Sequence, residues 1–297
     1  MRELALVLQD SYRQMHVVES AGVSMDLNTI TEVAHPGTRA QLPVWSAGDA
    51  WLAGGTWLFS EPQAHLARLI DLADLKWPAL TIGEAGLSIA ATCTVAQLDG
   101  LACPPEWLAA PLINQCCRAF LASFKIWKTA TVGGNLCMSL PAGPMISLTA
   151  ALDGVCTIWK ADGGEHQIDV VGFVTGDNRN VLAPGDLLRQ IDIPLAALKR
   201  RSAFRQISLT PLGRSAALLI GSISGGGALT LTVTASTVRP VRIAFSAIPS
   251  AGELREAILH RIPGALYHDD VHGKPAWRKH MTLRLAEEIR AELQGLL

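Results

Sequence analysis

Two short runs of small and polar residues are places where the backbone itself could do chemistry. Ala53, Gly54, Gly55 and Thr56 follow a strand-like run, while Thr131, Val132, Gly133, Gly134 and Asn135 follow a helical run and a short loop. Tandem glycines let the main chain approach a ligand and aim successive N–H groups into one concavity. Such a nest holds phosphate oxygens without a cationic side chain. The side chains of Thr56, Thr131 and Asn135 add further donors. Two such loops brought together clamp a dinucleotide pyrophosphate from both sides. Neither has the G-x-G-x-x-G or G-x-x-x-x-G-K-[ST] spacing, which argues against a Rossmann site and a P-loop. A third cluster, Gly225, Gly226 and Gly227, lies between two strand-like runs and reads as a hairpin turn.

Other chemistries find little support. Cys93, Cys103, Cys116, Cys117, Cys137 and Cys156 include no C-x-x-C pair, so neither a zinc site nor an iron–sulfur site is expected on this chain. They read as free thiols of a protein in a reducing cytoplasm. His268, Asp269, Asp270 and His272 lack the spacing of a metal site and read as a solvated loop. No G-x-S-x-G, H-E-x-x-H or EF-hand loop occurs. With 25 basic and 26 acidic residues the net charge is −1, which gives no electrostatic footprint for nucleic acid or anionic lipid. Charged residues interrupt the first 24 positions, so neither a secretory signal nor a membrane span is expected there. A short amphipathic helix preceding a domain that starts near Met25 is.

The elements that must position the two loops alternate through the first 175 residues. Strands are expected over 27–33, 51–53, 69–72, 80–83 and 87–92, with a turn at 84–86. Thr94 is a good N-cap for a short helix through Leu98, and a longer helix is expected over 105–122 with Pro105 in its first turn. Runs over 155–160 and 166–170 form a hairpin across Asp162, Gly163 and Gly164. After about Gly176 the pattern changes to an antiparallel meander over 187–193, 202–208, 216–223, 228–235 and 238–245. Helices over 251–262 and 276–296 close the chain. In the last, Trp277, Met281, Leu285, Ile289 and Leu293 recur every four residues and mark the buried face. The eight tryptophans read mostly as core or subunit interface. This pattern is α+β and divides into an extension (1–24), a mixed α/β domain (25–176) and a C-terminal domain (177–297).

The segments LAGGTWL (52–58) and TATVGGNLCMSLPAGP (129–144) resemble the paired FAD-pyrophosphate signatures of molybdenum-hydroxylase flavin subunits, the family that serves xanthine and carbon monoxide dehydrogenases. The resemblance continues through LIDLADL (69–75), LSIAATCTVAQL (87–98), LAPGDLLRQIDIP (182–194) and AFRQIS (203–208). It ends with DDVHGKPAWRKHMTLRLAEE (269–288), in the family's order. It implies a bilobed FAD-binding domain of the PCMH or vanillyl-alcohol-oxidase type, followed by a C-terminal domain with a three-stranded antiparallel sheet and helices. By this resemblance Leu52, Ala53, Gly54, Gly55, Thr56, Trp57 and Leu58 run along the FAD pyrophosphate, with Gly133, Gly134 and Asn135 on its other side. Ala122, Ile126, Ala130 and Thr131 line the flavin and ribityl chain, and Cys137 and Gly143 belong to the same signature. Leu188 matches a position packed near the isoalloxazine ring. Arg205 matches a basic position that favours reduced flavin.

Three positions depart from the family pattern. Trp57 replaces a polar residue, Trp127 precedes Lys128 where a basic residue often stands, and Pro144 replaces an acid that contacts the FAD ribose. Losing that acid costs about 1.5–3 kcal/mol of affinity, so FAD is expected to be weakly held. The resemblance also implies an oxidoreductase subunit that relays electrons to a soluble acceptor. Those electrons come from a molybdenum cofactor and [2Fe-2S] clusters on a large and a small partner subunit, in a heterotrimer or a dimer of heterotrimers. A stand-alone FAD reductase of the same fold and an assembly subunit without flavin stay open as alternatives.

Overall fold

The computed structural model describes residues 27–295. The extension over 1–24 and the start at Met25 lie outside the described residues. A small lobe comes first, a parallel sheet of β1 (Glu32–Ala34), β2 (Asp49–Leu52) and β3 (Arg68–Asp71) in the order β1-β3-β2. β1 is shorter than the expected 27–33 because a turn, closed by Ile30 N–H on the Leu27 carbonyl at 3.2 Å, occupies its start. Asp49 and Arg68 face each other in register across β2 and β3. The guanidinium donates to both carboxylate oxygens, at 2.9 and 2.6 Å, and the Ser46 N–H adds a third bond at 2.7 Å. A bidentate pair on a buried carboxylate fixes strand position as well as charge, and β2 is the strand that launches the first glycine turn.

The second lobe is built on β4 (Leu80–Gly83), β5 (Gly86–Ala90), β6 (Val155–Trp159) and β7 (Glu165–Asp169). A two-stranded ribbon of β8 (Val174–Gly176) and β9 (Arg179–Asn180) follows. β10 (Leu187–Pro194) then returns to the centre of the five-stranded sheet, whose order is β4-β5-β10-β6-β7. Its apolar alternation had suggested the first strand of the C-terminal meander. Leu187, Leu188, Ile191 and Ile193 bury the same pattern against either sheet, and periodicity does not say which neighbours a strand takes. Thr94 caps the Val95–Asp99 helix as expected, in a capping box with Gln97. The longer helix is Ala110–Ala119, shorter than 105–122 at both ends.

The C-terminal part is an antiparallel meander of β11 (Arg201–Ile207), β12 (Ala217–Ile223), β13 (Leu229–Thr234) and β14 (Val241–Phe245), the last four of the five runs read from the pattern, where the resemblance implied three strands. Both faces are covered, so the β12 side chains are buried on each side. Leu218 and Ile220 join the core of the second lobe. Ala217, Leu219 and Ile223 pack under the helices Ala251–Arg261 and Pro275–Gln294. The Pro144–Ala151 helix forms the joint, buried on all its faces as a helix between two layers must be. Ser147 Oγ lies 2.7 Å from Thr234 Oγ1, and the Ala235 N–H donates to the Pro141 carbonyl at 2.9 Å.

Arg278, on the closing helix, is 1% exposed. It donates to the carbonyls of Ala216, Ala235 and Gly273 at 2.6, 2.6 and 2.9 Å and to Asp270 at 2.5 Å. Asp270 was expected in a solvated loop; it is instead the counter-ion that makes a buried arginine tolerable. Arg278→Met leaves three carbonyls and a carboxylate without their donor, and a loss of about 3–5 kcal/mol in urea unfolding is expected.

A pH dependence follows from three carboxylates. The Arg68 hydrogen bond holds Asp49 below the ordinary carboxylate range. For Asp186 burial acts upward, but hydrogen bonds from Lys160 and two backbone N–H groups prevail. For Asp270 burial again acts upward and is outweighed by the His272 N–H and the Arg278 charge. Depressed folded-state values mean that the unfolded chain takes up protons first on acidification. The stability from these groups is therefore complete above about pH 4 and falls as pH drops through the folded-state values. Urea midpoints measured from pH 6 downward should decline in that window.

Candidate functional site

β2 ends at Leu52, and the chain turns at once. Phe59 N–H closes on the Gly55 carbonyl and Ser60 N–H on the Trp57 carbonyl, both at 2.9 Å. Gly55 has φ +67°, the left-handed conformation such a turn demands. Among the described residues, the N–H groups of Gly54, Gly55, Thr56, Trp57 and Leu58 meet no protein acceptor. A row of unpaired donors in one turn suits an anion that brings several oxygens.

The second glycine segment is built differently from the expected loop. Thr131 caps a helix, Val132–Met138, by accepting the Gly134 N–H at 3.0 Å. Val132 and Gly133 donate to the carbonyls of Cys93 and Ala91 at 2.8 and 3.0 Å, and Asn135 donates to Thr131 at 3.0 Å. The N–H groups of Val132, Gly133, Gly134 and Asn135 are thus already used within the protein, and the segment acts as a wall instead of a second nest. A Cβ on Gly133 would lie 2.6 Å from the Ala91 backbone, which explains a glycine inside a helix. Asn135 accepts the Met145 N–H at 3.1 Å on Oδ1, which leaves its amide nitrogen as the free donor.

The two segments touch. A Cβ on Gly54 would sit 1.8 Å from the Thr129 carbonyl oxygen, so the first turn lies directly against the backbone leading into the helix. Between them runs a cleft of about 420 Å³, within the range of small-ligand and cofactor sites. Of the residues singled out in the sequence, Ala53, Gly54, Gly55, Thr56, Trp57 and Leu58 line one side of this cleft. Ala130, Thr131, Gly134, Asn135 and Cys137 line the other. Trp51, Ser60, Phe120, Met138, Leu140 and Arg214 line it as well and were not singled out. Met138 and Leu140 stand inside the second signature, whereas Arg214 belongs to no motif.

Seven candidates fall outside the cleft lining. Leu52 ends β2, where its carbonyl accepts the Leu72 N–H at 2.9 Å. Gly133 is buried against Ala91, and Gly143 packs beside Asn135 at the start of the joint helix. Ala122 is exposed just before the Phe124–Trp127 helix, and Ile126 is exposed within it. Leu188 is 1% exposed in the core of the five-stranded sheet. Arg205 points the other way: it pairs with Glu288 and Glu292 of the closing helix at 3.2 and 2.7 Å. Strand alternation explains this, because Phe204 faces the second lobe and its neighbour must face the helices.

The departures from the family pattern also have places. Trp57 is 43% exposed at the cleft's edge. Trp127 braces the flanking segment through Nε1 on the Phe120 carbonyl at 2.9 Å, with the Arg118 guanidinium 5.4 Å from its ring. Pro144 is buried in the first turn of the joint helix. Burial pushes the Cys137 thiol up to about 12, so it stays neutral. Among the described residues, no group of three His, Cys, Asp or Glu side chains could hold a metal ion, and no helix is long and apolar enough to cross a membrane.

A family model described as the FAD binding domain in molybdopterin dehydrogenase matches residues 44–196. Among solved structures, quinoline 2-oxidoreductase from Pseudomonas putida 86 is similar with a TM-score of 0.72 at 18% identity, covering 90% of this chain and 97% of that one. A carbon monoxide dehydrogenase from Hydrogenophaga pseudoflava lacking the Mo-pyranopterin moiety gives 0.69 at 17% identity, over 88% and 96% of the two chains. Reconstituted CO dehydrogenase from Oligotropha carboxidovorans gives 0.69 at 20%, over 88% and 96%. At these identities the likeness speaks for the fold. No curated protein matches the sequence.

The contact between the two segments is testable by substitution. Gly54→Ala must push the turn off Thr129, and a loss of about 1–3 kcal/mol is expected. Gly225→Ala, with open space around its Cβ, should stay within about 0.5 kcal/mol of wild type. Equal urea midpoints for the two variants would contradict the close approach.

Proposed function

The chain belongs to the family of FAD binding domains in molybdopterin dehydrogenases, and we propose on that premise that it is the flavin-bearing electron-transfer subunit of a multi-subunit molybdenum hydroxylase. The observation that carries this reading is the turn of five unpaired N–H groups set against the wall of the second signature. Its donors fit the diphosphate of FAD, and the Asn135 amide adds one more from the opposite side.

When bound, FAD supplies an acceptor able to take electrons singly or in pairs and pass them on. The chain's own residues bind it and keep water out. Gly54, Gly55, Thr56, Trp57 and Leu58 offer their N–H groups to the phosphate oxygens. Trp51, Phe120, Ala130, Met138 and Leu140 give the cleft an apolar lining in which those bonds are stronger than in water. The neutral Cys137 thiol adds no charge to the wall and is a poor nucleophile.

The donor side of the relay is proposed to be a molybdopterin-binding large subunit and a [2Fe-2S] small subunit, in a heterotrimer or a dimer of heterotrimers in the cytoplasm. The solved relatives named above are a quinoline 2-oxidoreductase and two carbon monoxide dehydrogenases, which supports an oxidoreductase subunit without naming this chain's substrate. We place the FAD-binding part over residues 27–194, since β10 completes its sheet. The meander and closing helices form the C-terminal part.

The test is a visible spectrum of the protein purified with its neighbouring subunits, followed by cofactor release. Flavin bands are expected, with stoichiometric FAD released on denaturation. A colourless complex that takes up no added FAD would favour an assembly subunit without flavin. Turnover by the isolated chain would favour a stand-alone reductase.

A further inference from the structure

The diphosphate of FAD carries two negative charges, and among the described residues lining the cleft Arg214 alone carries a formal charge. Resting on the FAD reading above, we propose that Arg214 is the counter-charge of the FAD diphosphate, and that the C-terminal part thereby helps hold the cofactor.

Arg214 sits on the connection between β11 and β12 and lines the same cleft as the turn that offers neutral N–H donors. Among the described residues it has no ion-pair or hydrogen-bond partner, although carboxylates are near. It also borders a small polar cavity of about 200 Å³ that contains Asp177 and Asp270. Asp270 is already committed to Arg278 at 2.5 Å and to His268 at 3.2 Å, and Asp177 accepts the Asn178 amide at 3.1 Å. An unpaired guanidinium at the edge of an otherwise uncharged cleft is available to an incoming phosphate, which it can bind through two parallel N–H bonds.

The base of the connection is held in place. The Ala216 N–H donates to the Ile207 carbonyl at 2.8 Å, Gln206 Nε2 donates to Ser215 Oγ at 2.8 Å, and the Ala216 carbonyl accepts from buried Arg278. Arg214 therefore projects from a braced position. Arg205, the basic residue that the sequence suggested for the site, is engaged by two glutamates on the far face of the sheet.

The experiment titrates the deflavinated full-length protein, in its complex, with FAD and with riboflavin, which lacks phosphate. Flavin fluorescence reports Kd at low and high salt for wild type, Arg214→Gln, Arg214→Lys and Arg205→Gln. Arg214→Gln should weaken FAD binding roughly ten- to a hundredfold at low salt. Arg214→Lys should recover part of the loss, and Arg205→Gln should match wild type. Salt should weaken FAD binding to wild type more than to Arg214→Gln, since only the former holds the ion pair. Riboflavin binding should be the same for wild type and Arg214→Gln, and urea midpoints should confirm that every variant is folded. Unchanged FAD affinity in Arg214→Gln, or an equal loss for riboflavin, would overturn the assignment while leaving the FAD reading intact. A wild-type protein that binds no FAD would overturn both.

Discussion

A backbone-on-backbone contact underlies the site. Gly54 lies so close to the Thr129 carbonyl that a methyl group there would overlap it at 1.8 Å. That approach brings the edge of the small parallel sheet against the helix-leading segment of the second lobe. Much of the surrounding structure keeps the contact in register. The Asp49–Arg68 pair fixes β2 against β3, and the isolated bridge between Thr94 and Thr131 pins the start of the Val132–Met138 helix to the cap of the Val95–Asp99 helix.

The two glycine segments divide their work in a way that hydrogen-bond accounting makes plain. Every buried N–H must find an acceptor. The Val132–Asn135 stretch satisfies its own through the cap, the helix and the 91–93 carbonyls. The turn after β2 does not, so its donors are the ones available to a ligand. Dipoles held in place by the fold need little reorganisation to bind an anion. They do not depend on the side chain, so a tryptophan at position 57 leaves the donors in place.

Much of this was legible in the sequence, for reasons that differ by element. Tandem glycines beside threonine and asparagine exposed both segments, because few other residue types permit such backbone approach. The repeat Met281, Leu285, Ile289 and Leu293 marked the closing helix face, and the structure buries all four. The Val132–Met138 helix was missed because two glycines speak against helix, and its stability comes from the Thr131 cap and packing on Ala91. β10 was read as part of the meander because its apolar pattern suits either sheet. Arg205 and Leu188 were assigned by resemblance, but strand alternation sends one to the far face and the core takes the other. Arg214 gave no signal at all, since a basic residue in a turn acquires meaning only when the fold brings it to a cleft.

Hydrogen–deuterium exchange on the deflavinated protein, with and without FAD, tests the central claim most directly. The account predicts that the amides of Gly54, Gly55, Thr56, Trp57 and Leu58 exchange quickly without cofactor and slow when FAD is added. Those of Val132, Gly133, Gly134 and Asn135 should be protected from the start and change little. FAD-dependent protection confined to the second segment, with the 54–58 amides unaffected, would contradict it.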